Sequence, residues 1–197
     1  MKRVFSVVLM IIAVLLLSEI TMAQSISIGV AAGVAQPTDQ ELKNSNLGFN
    51  VGIQGFYHLN DHLWAGARLA FDRWTPDLPG RDVEWLDYTG STTVIELTPA
   101  IRYVAVIPET KDHIFAQAGF GFFMRKDKLE ITDVAGAITE TTEDKNGLGM
   151  NIGAGFDFKF LENVQVEILP LYNMVFDKIS KGTCSSRYYT LSLGLLF

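Results

Sequence analysis

YYTLSLGLLF, residues 188–197, closes the chain, and the alternation within it decides how the rest is read. Tyr189, Leu191, Leu193, Leu195 and Phe197 fall on one face of a strand, and Tyr188, Thr190, Ser192, Gly194 and Leu196 on the other. A strand with one apolar side at a chain end is an aggregation liability in water. Either a large core covers that side or its solvent is not water.

Period two recurs in seven earlier segments. The first two set Ile26, Ile28, Val30, Ala32 and Val34 against Ser27, Gly29, Ala31 and Gly33, then Leu47, Phe49, Val51, Ile53 and Tyr57 against Gly48, Asn50, Gly52 and Gln54. The next two set Leu63, Ala65, Ala67, Leu69 and Phe71 against Trp64, Gly66, Arg68, Ala70 and Asp72, then Ile95, Leu97, Ile101 and Tyr103 against Glu96, Thr98, Ala100 and Arg102. FAQAGFGFF (115–123), NIGAGFDFKF (151–160) and the run from Val164 to Tyr172 continue the scheme.

The apolar faces carry no charged residue. The opposite faces are rich in glycine and small residues, and their charges nearly balance: Arg68, Arg102 and Lys159 against Asp72, Glu96, Asp157 and Glu167. A face washed by bulk water would favour more Lys and Glu. A narrow lumen, where side chains must fit and pair with one another, accounts for this composition better. The pairing expected at its centre is Glu96 with Arg102 or Arg68.

Connection lengths give an independent argument. Residues 60–62, 107–112 and 161–163 are short connections, while 36–46, 73–92, 126–147 and 177–187 are long, and the two kinds alternate without exception. Outer-membrane barrels have this asymmetry, with tight periplasmic turns and longer external loops. Aromatic residues fall near the ends of the apolar band: Tyr57, Tyr103, Phe160 and Phe197 at one end, Phe71, Phe122, Tyr172 and Tyr189 at the other. Pro99 and Pro170 interrupt strands with neighbours on both sides, and local bulges are expected there.

The full chain has 197 residues and a formal net charge of −6. Residues 1–23 read as a secretory signal peptide: Lys2 and Arg3, an apolar run from Val7 to Leu17, then small residues before Gln24. The run is too short for a spanning helix of about 20 residues. Removing this segment takes Lys2, Arg3 and Glu19, which leaves an acidic domain over residues 24–197 and a poor partner for nucleic acid. The single Cys184 and the scattered histidines point to no disulfide, metal or cofactor.

The export signal, the eight alternating segments and the aromatic-ended YYTLSLGLLF together resemble the small eight-stranded outer-membrane proteins of the OmpX and OmpA barrel type. The resemblance covers residues 24–197 at the level of pattern. It implies an all-β fold, an eight-stranded antiparallel up-and-down transmembrane β-barrel in the outer membrane of a Gram-negative bacterium, with both termini periplasmic. It also implies a monomer surrounded by outer-membrane lipid and lipopolysaccharide. Tyr189, Leu191, Leu193, Leu195 and Phe197 look like the signal read by the outer-membrane assembly machinery, which works by strand pairing.

Three functional readings follow. In the first, the barrel has a structural and adhesive role, and its loops contact an extracellular protein or carbohydrate. The 126–147 stretch is the expected surface, because Leu129 and Ile131 alternate with Lys128 and Glu130, and the pattern resumes through Ile138 beyond Ala135-Gly136. A second cluster, Trp74, Trp85 and Tyr88 among Pro76 and Pro79, offers a packing or carbohydrate surface. The second reading is a narrow solute or ion channel through the charged lumen. The third is an outer-leaflet lipid enzyme, but His58, His62 and His113 all fall beside the short turns, away from that leaflet. Arg125, Lys126, Lys128, Lys178, Lys181 and Arg187 near the upper rim are candidates for lipid phosphates.

Overall fold

The structure, a computed structural model, describes residues 26–38, 46–75, 87–110, 112–132, 138–161, 163–178 and 183–197. The signal segment 1–23, Pro76, Pro79, Trp85, Ala135-Gly136 and Lys181 lie outside the described residues, as do the side chains of Tyr88, Lys178 and Cys184.

Eight strands follow one another in chain order: β1 (Ile26–Pro37), β2 (Gly48–His58), β3 (Leu63–Trp74), β4 (Asp87–Val106), β5 (His113–Thr132), β6 (Ile138–Leu161), β7 (Val164–Lys178) and β8 (Thr183–Leu196). Each pairs antiparallel with the next, and β8 returns to β1 from Gly29↔Leu196 to Pro37↔Tyr188, closing the barrel. At the chain end Ile28 and Phe197 exchange both backbone hydrogen bonds, at 3.1 and 2.9 Å. Closure removes the exposed edge that YYTLSLGLLF would otherwise present.

The side chains segregate by parity. Leu97, Ile101, Phe120, Ile152, Leu191 and Leu193 stand exposed on the outside, whereas Asn50, Arg68, Glu96, Arg102, Asn151 and Glu167 are fully buried within. Such an inverted distribution is costly in water and favourable in hydrocarbon. Tyr57, Tyr103 and Phe160 are exposed near the short turns, and the Tyr172 and Tyr189 rings meet at 4.8 Å towards the other end.

The lumen holds more than polar groups. Phe56, Trp64, Ala100, Val104, Phe115, Leu169 and Leu171 form one buried apolar cluster towards the short turns. Ala35, Trp74, Val94, Phe123, Val175 and Tyr188 form a second towards the external end. Glycines of β6 make room for two of the rings: a Cβ at Gly155 would run into Phe115, and one at Gly149 would meet the Phe123 ring at about 2.5 Å. An aromatic ring lying over a strand glycine shields backbone that would otherwise be bare.

The strands differ from the sequence reading in two respects. Residues 87–92 belong to β4, and β7 and β8 leave only 179–182 between them, so the second and fourth connections are shorter than expected. Thr89, Thr92 and Thr93 favour an extended backbone, and pairing with β5 continues to Asp87↔Thr132. Pro99 and Pro170 produce no bulge. The β4–β5 ladder runs from Leu97↔Phe122 to Ala100↔Gly119 without a shift, and β6–β7 from Gly153↔Leu171 to Phe156↔Ile168 likewise. Each proline costs local ladder bonds on one side and leaves the register intact. The irregularities lie elsewhere, near Leu161 and around Phe176.

Candidate functional site

Two polar networks cross the lumen. In the first, Arg68 on β3 pairs with Glu96 on β4 through Nη1 and Oε1, and its Nη2 donates to Asn50 Oδ1 at 3.2 Å. Asn50 donates to Asp72 at 2.5 Å, Tyr188 donates to the other Asp72 oxygen at 3.2 Å, and Ser192 donates to Asn50 Oδ1 at 2.8 Å. Four strands, β2, β3, β4 and β8, thus meet around one guanidinium and two carboxylates.

In the second, Arg102 on β4 reaches across to Glu167 on β7 at 2.6 Å and lies 3.6 Å from Asp157 on β6. Its Nε and Nη2 donate to Gln117 Oε1 at 3.1 and 2.8 Å, and Gln54 donates to Glu167 at 2.6 Å. The guanidinium is clamped between the Phe115 and Phe56 rings, 3.9 and 4.3 Å from their centroids. A desolvated cation over ring faces gains about 2 kcal/mol.

Glu96 therefore takes Arg68, and Arg102 belongs to a separate group. Lys159 joins neither network. Its parity points towards the lumen, but it lies beyond the buried zone, next to the irregularity that ends β6, and is exposed. Its backbone N–H donates to Asp112 at 3.2 Å. Parity along a strand gives direction and says nothing of height.

The ends of the lumen differ. Towards the external end Arg125 bonds Asp127 at 2.9 Å and also donates to Ser186, while Thr92 donates to Asp127 at 2.8 Å. Towards the short turns a cavity of about 760 Å³ opens, lined by His58, His62, Trp64 and His113. His58 stacks on Trp64 at 3.9 Å and shares a hydrogen bond with Ser27 Oγ at 2.9 Å. Among the described residues no carboxylate hydrogen-bonds His58.

Outside, β4, β5 and β6 continue together past the barrel as a three-stranded sheet. Pairing runs from Thr92↔Asp127 to Asp87↔Thr132 on one side and from Lys126↔Asp144 to Thr132↔Ile138 on the other. Lys128 bridges Glu130 at 2.5 Å and Glu140 at 3.4 Å. These contacts hold the Lys128 ammonium above and the Glu130 carboxyl below their usual pKa ranges. Leu129 and Ile131 share one face, half-buried, whereas Ile138 lies exposed on the opposite face.

With this geometry in hand, comparison with known proteins settles the family. The model of the outer membrane protein beta-barrel domain matches residues 9–195. The chain belongs to that family. It is accordingly an outer-membrane β-barrel protein of the Gram-negative envelope. Among solved structures, a major outer membrane protein from Thermus thermophilus superposes with a TM-score of 0.57 at 16% identity, covering 88% of this chain and 99% of the other. OprG from Pseudomonas aeruginosa gives 0.50 at 12%, covering 88% and 96%. Neisserial surface protein A gives 0.49 at 15%, covering 87% and 95%. At such identities the likeness is one of fold. No curated protein matched the chain.

Proposed function

We propose that this barrel is a closed anchor whose external sheet binds an extracellular protein or carbohydrate. The observation that carries the reading is the free edge of β6. Its pairing with β7 begins at Leu148↔Phe176, so residues 138–147 are bonded to β5 on one side and to no described strand on the other. Ten residues at about 3.3 Å each give an edge of roughly 33 Å, long enough to accept a partner strand in several backbone hydrogen bonds. Leu129 and Ile131, which share a face, supply apolar contact area beside that edge.

The filled lumen supports an anchor over a passage. Arg68, Arg102 and their carboxylates are buried between two apolar clusters, and eight strands leave an interior that side chains fill. Deleting residues 129–142 should leave the barrel folded, with its heat-modifiable gel mobility unchanged, and reduce binding to immobilised host-matrix proteins and glycans several-fold. Equal binding by the deletion variant would contradict the proposal.

A further inference from the structure

On the outer face of β3, β4 and β5 the residues change character row by row. Phe71, Ile95 and Met124 form one row across the three strands, facing lipid. The next row up is Arg73, Thr93 and Lys126, continuing to Asp144 on β6. Then come Ser91 and Lys128, and after them Thr89, Glu130 and Glu140. Rows on one face lie about 6.6 Å apart along the strands. The cations Arg73, Lys126 and Lys128 occupy the two rows nearest the apolar band, with Asp144 at the β6 end of the first, and Glu130 and Glu140 stand beyond them.

Between these rows lies a recess of about 180 Å³ lined by Arg73, Thr89, Gly90, Ser91, Lys128 and Glu130. Arg73 is exposed there, and its side chain makes no hydrogen bond or ion pair with any described residue. Its cross-strand neighbour Phe49 packs on Phe71 at 5.8 Å, so an aromatic pair floors the cation on the membrane side. A guanidinium without a described partner, a hydroxyl and an ammonium lining one recess at headgroup level form a receptor for a tetrahedral oxyanion.

We propose that this recess holds a phosphate of a surrounding outer-leaflet glycolipid, with Arg73 and Lys128 as the charged contacts and Ser91 as a donor. The acyl chains of such a lipid would run down over Phe71, Ile95 and Met124, which distinguishes it from free phosphate. Lys128 exchanges part of its contact with Glu130 and Glu140 for the phosphate. The upper-rim candidate Arg125 is not part of this site, because it points inward and is held by Asp127 and Ser186.

Native mass spectrometry of the delipidated, refolded protein tests this with bisphosphorylated lipid A, its dephosphorylated form and inorganic phosphate as probes. The wild type should retain the phosphorylated lipid well above the dephosphorylated one. Arg73→Gln and Lys128→Gln should each lower that retention roughly tenfold. Lys145→Gln, which alters an ammonium 3.1 Å from Glu143 and outside the recess, should leave it unchanged. Heat-modifiable mobility verifies that every variant is folded. Equal retention of the two lipids by the wild type, or retention unaffected by both substitutions, would overturn the proposal. Displacement of the lipid by millimolar inorganic phosphate would mark a free-anion site and contradict the lipid assignment.

Discussion

Arg102→Ala should lower the unfolding free energy of the barrel by about 3–5 kcal/mol, read from urea-dependent tryptophan fluorescence in lipid vesicles. Arg102, Asp157 and Glu167 are all fully buried, so removing the guanidinium leaves two buried carboxylates without their cation. It also leaves Gln117 Oε1 without its donors and takes the cation from between Phe56 and Phe115. Trp64, with its ring 5.9 Å from the same guanidinium, should report the change directly. Neutralising the stranded acids in the background of the first change, with Asp157→Asn and Glu167→Gln, should recover most of the loss. A cost of Arg102→Ala below about 1 kcal/mol would mean that this network is hydrated like a surface pair.

The second large effect is expected at the chain end, on assembly and not on stability. Phe197→Asp places a carboxylate at the border of the apolar band, where charged residues cost only about 0–1 kcal/mol once a barrel has formed. The Phe197 backbone bonds to Ile28 are unaffected by the change. Refolding into detergent should therefore proceed normally, while the amount of folded protein reaching the outer membrane of cells should fall several-fold. We assign that difference to recognition of Tyr189, Leu191, Leu193, Leu195 and Phe197 by the assembly machinery. Thr110→Asp, in an exposed turn, provides the control. Normal insertion of Phe197→Asp in cells would remove the chain end from any such role.

Much of this fold was legible in the sequence because a lipid-facing strand has a strict rule: every second residue must be apolar. Leu191, Leu193 and Leu195 obey it, and no interior preference competes with it. The inner face has no comparable rule. Phe115 and Phe123 share their parity with Gln117, as Trp74 does with Asp72, yet reading that face as polar passed over the rings that fill much of it. Following parity through each segment without regard to residue type would have found them. Of the ion pairs, Arg68 with Glu96 was one of the two expected, whereas Arg102 with Glu167 was beyond reach for a different reason. Arg102 and Glu167 sit on strands that are not neighbours, and the curvature and stagger that bring them to 2.6 Å are properties of the closed ring. Lys159 shows the same gap between direction and height. The proline expectation failed because both residues bond one neighbour and not the other, so a missing N–H on one side leaves the other ladder in register.

The external sheet was legible for the opposite reason, since alternation carried on past the point where the membrane required it. Thr139, Thr141 and Thr142 favour extended backbone, and Lys128 ties β5 to Glu140 across the hairpin. The length of β6 without a described partner opposite β5 depended on where its pairing with β7 begins, which no residue pattern marks. The recess at Arg73 was likewise hidden, because Arg73, Ser91 and Lys128 are brought together only by the registers of β3 with β4 and β4 with β5.

At the centre of the account is a barrel closed inside and active only on its outer surface, and single-channel recording of the purified wild-type protein in planar bilayers tests this most directly. A lumen filled by Arg68–Glu96, Arg102–Glu167 and the two aromatic clusters predicts no reproducible unitary conductance at neutral pH and moderate voltage. Steady conductance steps of one size, abolished by denaturing the protein, would contradict it.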